Sequence, residues 1–237
     1  MVEICKKEVY LFFKTPMGYI ICAIYVLLSS FYYYAANLNG MLASLSYNFQ
    51  FQATWLLMFL IPMLTMRLLA EERRMKTDQL LLTAPISVAS IVIGKFLAAL
   101  FTFFVCTAVN LIYYVIGLFY ASDPLTGELI CYYLGIILLG AAILSVDLFI
   151  SSLTESQLVA AFAAMGINVF LMVIRSLPNG IQTPVVKFLV ELISVFTRFY
   201  QDFARGIISI PSLFYYLSFA ALFIFLTIQV IERRRWS

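Results

Sequence analysis

The chain has 237 residues, 64% of them apolar and 11% charged, with a formal charge of +3, whereas soluble domains average about 45–50% apolar and about 25% charged. So few charges cannot clothe a soluble core of this size, so lipid is the expected solvent, and the small net charge argues against a nucleic-acid partner. Histidine is absent, which removes the commonest metal ligand and the usual general base near neutral pH, so neither metal-ion nor triad chemistry is expected.

The N-terminal stretch interleaves Glu3, Lys6, Lys7, Glu8 and Lys14 with Ile4, Val9, Tyr10, Phe12 and Phe13. It is too polar to span, and residues 1–16 are predicted to form an elbow helix along the inner headgroup layer. A membrane helix needs roughly 20 mainly apolar residues, and six runs qualify: about 18–36, 52–69 (interrupted by Pro62), 89–119, 129–150, 157–174 and 212–231. The first run extends beyond a signal-peptide core and lacks a cleavage site, so it is expected to be retained. Residues 176–211 mix apolar stretches with Pro178, Asn179, Gly180, Pro184, Lys187, Glu191, Arg198, Asp202 and Arg205. Short re-entrant helices in the outer leaflet fit that pattern better than a full span. The expected architecture is a single all-α, polytopic membrane domain over residues 1–237.

Orientation follows from the basic residues, which resist translocation. With the N-terminus inside, Lys6, Lys7, Lys14, Arg67, Arg73, Arg74, Lys76, Lys95, Arg233, Arg234 and Arg235 are cytoplasmic, and only Arg175, Lys187, Arg198 and Arg205 lie outside. Six spans then return the C-terminus to the cytoplasm, with Trp236 as an interfacial anchor. The four cysteines, Cys5, Cys22, Cys106 and Cys131, are scattered singly without metal-site or disulfide spacing and read as small hydrophobes.

The loop after the second run, residues 71–86, is the most informative segment. It reads Glu71-Glu72-Arg73-Arg74-Met75-Lys76-Thr77-Asp78-Gln79-Leu80-Leu81-Leu82-Thr83-Ala84-Pro85. Thr77 suits an N-cap, Asp78 a first helical turn and Pro85 a stop, which predicts a short stiff helix beneath the bilayer. The plainer alternative is an ordinary solvated loop.

The run Glu71 to Pro85, followed by Ile93-Gly94-Lys95-Phe96, resembles the E-E, G-T, E-L-L-L-T-x-P and I-x-L-G-K signature of ABC-2 type transporter permeases, especially the gliding-motility-associated (GldF-like) branch. Ser151-Ser152-Leu153-Thr154-Glu155-Ser156-Gln157 and Phe203-Ala204-Arg205-Gly206-Ile207-Ile208 agree in order and spacing, so the resemblance covers nearly the whole chain. Two positions depart from it: Lys76 stands where the family favours Gly, and Gln79 where it favours Glu.

The resemblance implies a plasma (inner) membrane permease subunit of an exporter, with Thr77 to Pro85 as the coupling helix seated in a separate ATPase. Glu71, Glu72, Arg73, Thr77, Asp78, Gln79, Leu80, Leu81, Thr83 and Pro85 would form the ATPase-coupling set, and Thr154, Glu155 and Ser156 a second cytoplasmic contact. No phosphate-binding loop of the form G-x-x-x-x-G-K-[ST] is present. ATP and Mg are therefore expected on the partner, in two copies, with no cofactor in this chain. A second permease subunit, most simply an identical one, would complete the pathway. An accessory protein with an extracytoplasmic domain would suit the GldF-like branch.

Ionisable and polar groups within spans are functional candidates by default. Asp147, three residues from the end of its run, is expected to reach the inner interface, pairing with Arg67 or Lys95 being the alternative. Arg175 is expected to snorkel outward, and Asn110 and Asn168 to hydrogen-bond between helices. Asp202 and Arg205 are outer-gate candidates, with Glu191 as another acidic partner, against the plain reading of Arg205 as a solvated surface cation. The competing functional classes are a stand-alone secondary carrier, which calls for buried carboxylates or inverted repeats, a membrane scaffold subunit, and an intramembrane enzyme, for which no nucleophile–base set is visible.

Overall fold

The computed structural model describes residues 1–35, 51–77, 86–113, 115, 126–175, 190 and 193–235. Among them there is helix and no strand. Helix α1 (Val2–Lys14) leads through Thr15 into α2 (Pro16–Tyr33). A π-helical turn (Gln52–Leu56) opens into α3 (Leu57–Thr65), followed by the short α4 (Ala70–Arg74). Then come α5 (Val88–Ala108), α6 (Thr126–Leu153), α7 (Gln157–Ile174), α8 (Val195–Gln201), a 3₁₀ turn (Phe203–Arg205) and α9 (Ile210–Arg235).

Five helical stretches are long and apolar enough to cross a membrane: Ala53–Arg74, Val88–Tyr113, Ile130–Leu153, Gln157–Ile174 and Ile210–Arg234. A sixth is reached if α1 and α2, bent by 70° at their junction, count as one broken span. The bend has a local cause. Thr15 is extended (φ −87°, ψ 143°), Pro16 begins α2 where its missing N–H costs nothing, and Gly18 lets the chain fold back closely. A Cβ on Gly18 would sit 2.1 Å from the Phe12 carbonyl oxygen. The expected break at Pro62 is not found: α3 runs through this buried proline, and the amide of Met66 still bonds the Pro62 carbonyl at 2.9 Å. The ring removes one N–H donor, and the irregular turns fall to either side of it, at 52–56 and 66–69.

The core is built around α6, whose Ile136, Leu139, Ile143 and Leu144 are shut off from the surface. Phe103 from α5 approaches Gly140, and Phe199 and Phe203 approach Gly135; in both places the missing side chain lets an aromatic ring lie against the α6 backbone. Within the segment expected to re-enter, α8 and the 3₁₀ turn are short and well buried through Val195, Phe196, Phe199 and Phe203. Residues 176–189, 191 and 192, with Glu191, and the anchor Trp236 lie outside the described residues. By contrast α2, α7 and α9 turn large apolar side chains outward, among them Phe31, Phe162 and Phe214, the surface that hydrocarbon solvates.

A Cβ at Gly135 would lie 2.5 Å from the Phe203 Cβ, an overlap near two backbones that no rotamer change relieves. Gly135→Ala is expected to destabilise the bundle by about 1–3 kcal/mol, read as a lowered thermal midpoint in detergent micelles. An unchanged midpoint would mean that Phe203 does not pack there.

Candidate functional site

The cytoplasmic end of the bundle, in the orientation expected from the charges, is organised by one ammonium group. Lys95, in the third turn of α5, is 1% exposed. Its Nζ lies 3.0 Å from the Glu8 carboxylate of α1 and 2.8 Å from the Glu72 carboxylate of α4. It also donates to the Leu68 carbonyl at 2.6 Å. Two of the three ammonium protons are thus donated, to Glu8 and to the Leu68 carbonyl, while Glu72 pairs with the charge. Gly94 makes the approach possible: a Cβ there would stand 3.1 Å from the Met1 carbonyl oxygen and 3.2 Å from the Ile4 side chain. The Gly94-Lys95 pair thus docks α1 twice, once by shape and once by charge. Nothing in the sequence links Glu8 to Lys95, which are 87 residues apart.

Beside this cluster Arg67 grips Glu71 with two bonds, at 2.7 and 3.3 Å. A cavity of about 320 Å³ lies between α1, the end of the second span and α5, with Phe12, Leu64 and Ala99 along its apolar walls and Glu72 and Lys95 at its polar end. From α4, Arg73 reaches the turn between α6 and α7. It makes an ion pair of 2.8 Å with Glu155 and donates to the Leu153 carbonyl at 3.2 Å. The Ser151 hydroxyl accepts the Ala70 amide at 3.3 Å. In the same turn the Thr154 hydroxyl accepts the Ser156 amide at 3.2 Å, which tightens the entry to α7. The structure therefore joins two of the segments singled out in the sequence, 71–77 and 154–156, side by side.

Lys76 explains one departure from the family pattern. It has φ 55°, in the left-handed region where glycine is favoured. The amide of Lys76 bonds the Arg73 carbonyl at 3.1 Å and that of Thr77 bonds the Glu72 carbonyl at 3.0 Å, the paired bonds of a Schellman cap. The Thr77 hydroxyl also donates to Glu72 at 3.2 Å. The chain is thus stopped and redirected just before the predicted coupling helix. Asp78, Gln79, Leu80, Leu81, Leu82, Thr83 and Pro85, and with them the contrast of Gln79 with the family's Glu, lie outside the described residues.

This charged end of the bundle accompanies a match along almost the entire length of the chain. Residues 2–231 match the family model described as ABC-2 family transporter protein. The chain belongs to that family. No curated protein matches it. As an ABC-2 family protein it is a multi-pass membrane permease, the membrane-spanning part of such a system and not the part that hydrolyses ATP.

Within the permease, Asn110 and Asn168 behave as expected. Asn110, just beyond the end of α5, donates to the Tyr25 hydroxyl and accepts from Ser29 at 2.8 Å, both on α2. Asn168 on α7 donates to Asp147 on α6 at 3.1 Å. Asp147 itself is a correction. It does not reach the interface but is 1% exposed, because α6 continues to Leu153 and the carboxylate faces α7. Nor does it pair with Arg67 or Lys95, whose charges are taken by Glu71 and by Glu8 with Glu72. Arg175 lies over the Tyr200 ring, 3.4 Å from its centre. On the side expected to be extracytoplasmic, Asp202 accepts from Ser212 and Arg205 is exposed, with no ion pair to a described residue. Gly206 (φ 75°) ends the 3₁₀ turn, Tyr132 donates to the Ala204 carbonyl, and the Cys131 thiol donates to that of Gly206 at 3.2 Å.

Removing the Lys95 charge leaves Glu8 and Glu72 only the half-exposed Lys7, 4.0 and 3.9 Å away, as a cation. Lys95→Met is expected to cost about 3–5 kcal/mol and to loosen α1, raising the alkylation rate of Cys5 as measured peptide by peptide; an unchanged rate would show that α1 docks without the ammonium. At Lys76 the opposite change is expected. Lys76→Gly relieves left-handed strain of about 1–2 kcal/mol, partly offset by the entropy of glycine, so the Thr77 amide should exchange more slowly with deuterium. Faster exchange would show that the cap does not govern this turn.

Proposed function

We propose that this permease forms half of the membrane pathway of an ABC exporter, two copies pairing around the route and two copies of a separate ATPase subunit binding ATP and Mg below them. Thr77 to Pro85 is the coupling helix and Thr154 to Ser156 the smaller second contact. Both termini are cytoplasmic and the membrane is the plasma (inner) membrane. The observation that supports this reading most is the Arg73–Glu155 ion pair, which braces the two segments that the family pattern marks, in a chain matched over residues 2–231. Closure of the ATPase pair has to be passed upward by a stiff element with two positions. A helix leaving a Schellman cap, held at its root by Lys95 and Arg73, delivers that displacement to the second, third and fourth spans together.

On the opposite side, Asp202 before the capped 3₁₀ turn and Arg205 at its end form the outer gate, where an accessory protein of the gliding-motility-associated branch would dock. Exported cargo passes between the two permease copies. A stand-alone carrier or a scaffold subunit would not need an ATPase at the 71–86 loop, so co-purification separates these readings.

Leu81→Asp is expected to leave insertion and helix content unchanged, to abolish co-purification of the ATPase and to uncouple ATP hydrolysis from transport. Full retention of the ATPase and of transport by that variant, or transport by the purified permease alone, would overturn the proposal.

A further inference from the structure

Two cysteines that look unrelated in the sequence meet inside the bundle. Cys22 lies on α2 and Cys106 on α5, and their sulfurs are 2.7 Å apart. Both are free thiols. A disulfide has its sulfurs at about 2.05 Å, and this pair is placed side by side, within bonding reach of one another.

The two helices are held in register beside this pair by a seam of side chains. On α2 the seam uses Tyr25, Ser29 and Tyr33, and on α5 and its continuation it uses Asn110 and Tyr113. With Cys22 and Cys106 these positions recur at intervals of three and four, so each set occupies one helix face. Tyr33 and Tyr113 stack with ring centres 4.9 Å apart, and Asn110 bridges Tyr25 and Ser29. Below the seam, α1 is fixed to α5 by Glu8 and Lys95. The cysteine pair sits between two fastened points and has little freedom to drift apart.

We propose that Cys22 and Cys106 are an intramembrane redox pair that a lipid-soluble two-electron oxidant closes to a disulfide, joining the first span covalently to the third. Cys106 is 2% exposed and both residues lie in apolar helices, which favours an oxidant that partitions into lipid, of the quinone class. The step balances: two thiols and one quinone become one disulfide and one quinol. The S–S bond forms as two S–H bonds break, and two protons and two electrons pass to the quinone oxygens. The product ties α1, α2 and α5 into one closed unit. This inference stands apart from the exporter reading, because it requires neither an ATPase nor a cargo.

The test uses the full chain in its native membrane. Membranes are treated with duroquinone, whose fully substituted ring resists thiol addition, then quenched with a membrane-permeant maleimide in denaturant and digested for mass spectrometry. A peptide linked through Cys22 and Cys106, reversed by dithiothreitol, is expected, with Cys5 and Cys131 alkylated. Cys22→Ser should remove the linked peptide and leave Cys106 alkylated. Asn110→Leu, which unfastens the seam, should slow linkage several-fold. Complete alkylation of both thiols after quinone treatment, or a linked product that survives Cys22→Ser, would overturn the assignment.

Discussion

A buried ammonium is tolerated only when its charge is compensated, because an uncompensated charge in a low-dielectric interior costs several kcal/mol. Lys95 hydrogen-bonds Glu8 of α1 and the Leu68 carbonyl and pairs its charge with Glu72, the last two both at the end of the second span. Satisfying one cation thereby joins α1, the end of the second span and α5 at one point. Leu68 and Glu72 fix the root of the 71–86 loop, so the geometry of this end of the bundle descends from this single group.

Around it the remaining ion pairs are arranged as a brace. Arg67 and Glu71 stiffen the end of the second span, and Arg73 carries the connection to Glu155 beyond the fourth. Exposed ion pairs contribute little stability individually, and Glu155 is largely exposed. The value of this contact is therefore directional: with the Ser151–Ala70 bond it sets the distance between two loops. In the proposed coupling role, stiffness at this contact counts for more than overall stability.

Deeper in the bundle apolar packing is supplemented by a few polar bridges, since hydrocarbon offers helices no hydrophobic reason to associate. Asn110 ties α5 to α2, and Asn168 with Asp147 ties α7 to α6. Glycines serve the same end by shape. Gly135 and Gly140 let rings from the 3₁₀ turn and from α5 rest on the α6 backbone, and Gly18 and Gly94 let the elbow close on itself and on α5.

The long apolar runs by themselves determined the all-α class and most of the limits of five candidate spans, because the thickness of hydrocarbon imposes a length that can be counted along a chain. The order of motifs was likewise legible, as was the role of Asn110 and Asn168, since a carboxamide at membrane depth has few options other than another helix. What only the tertiary structure decided were the pairings. Glu8 with Lys95, Arg73 with Glu155 and Cys22 with Cys106 each join residues about 80 or more positions apart; no local periodicity encodes such a distance. The same holds for Asp147, whose place near the end of an apolar run suggested water and whose actual neighbour is Asn168. Helix length is a property of the chain, whereas the direction a side chain faces is settled by whichever helix packs against it.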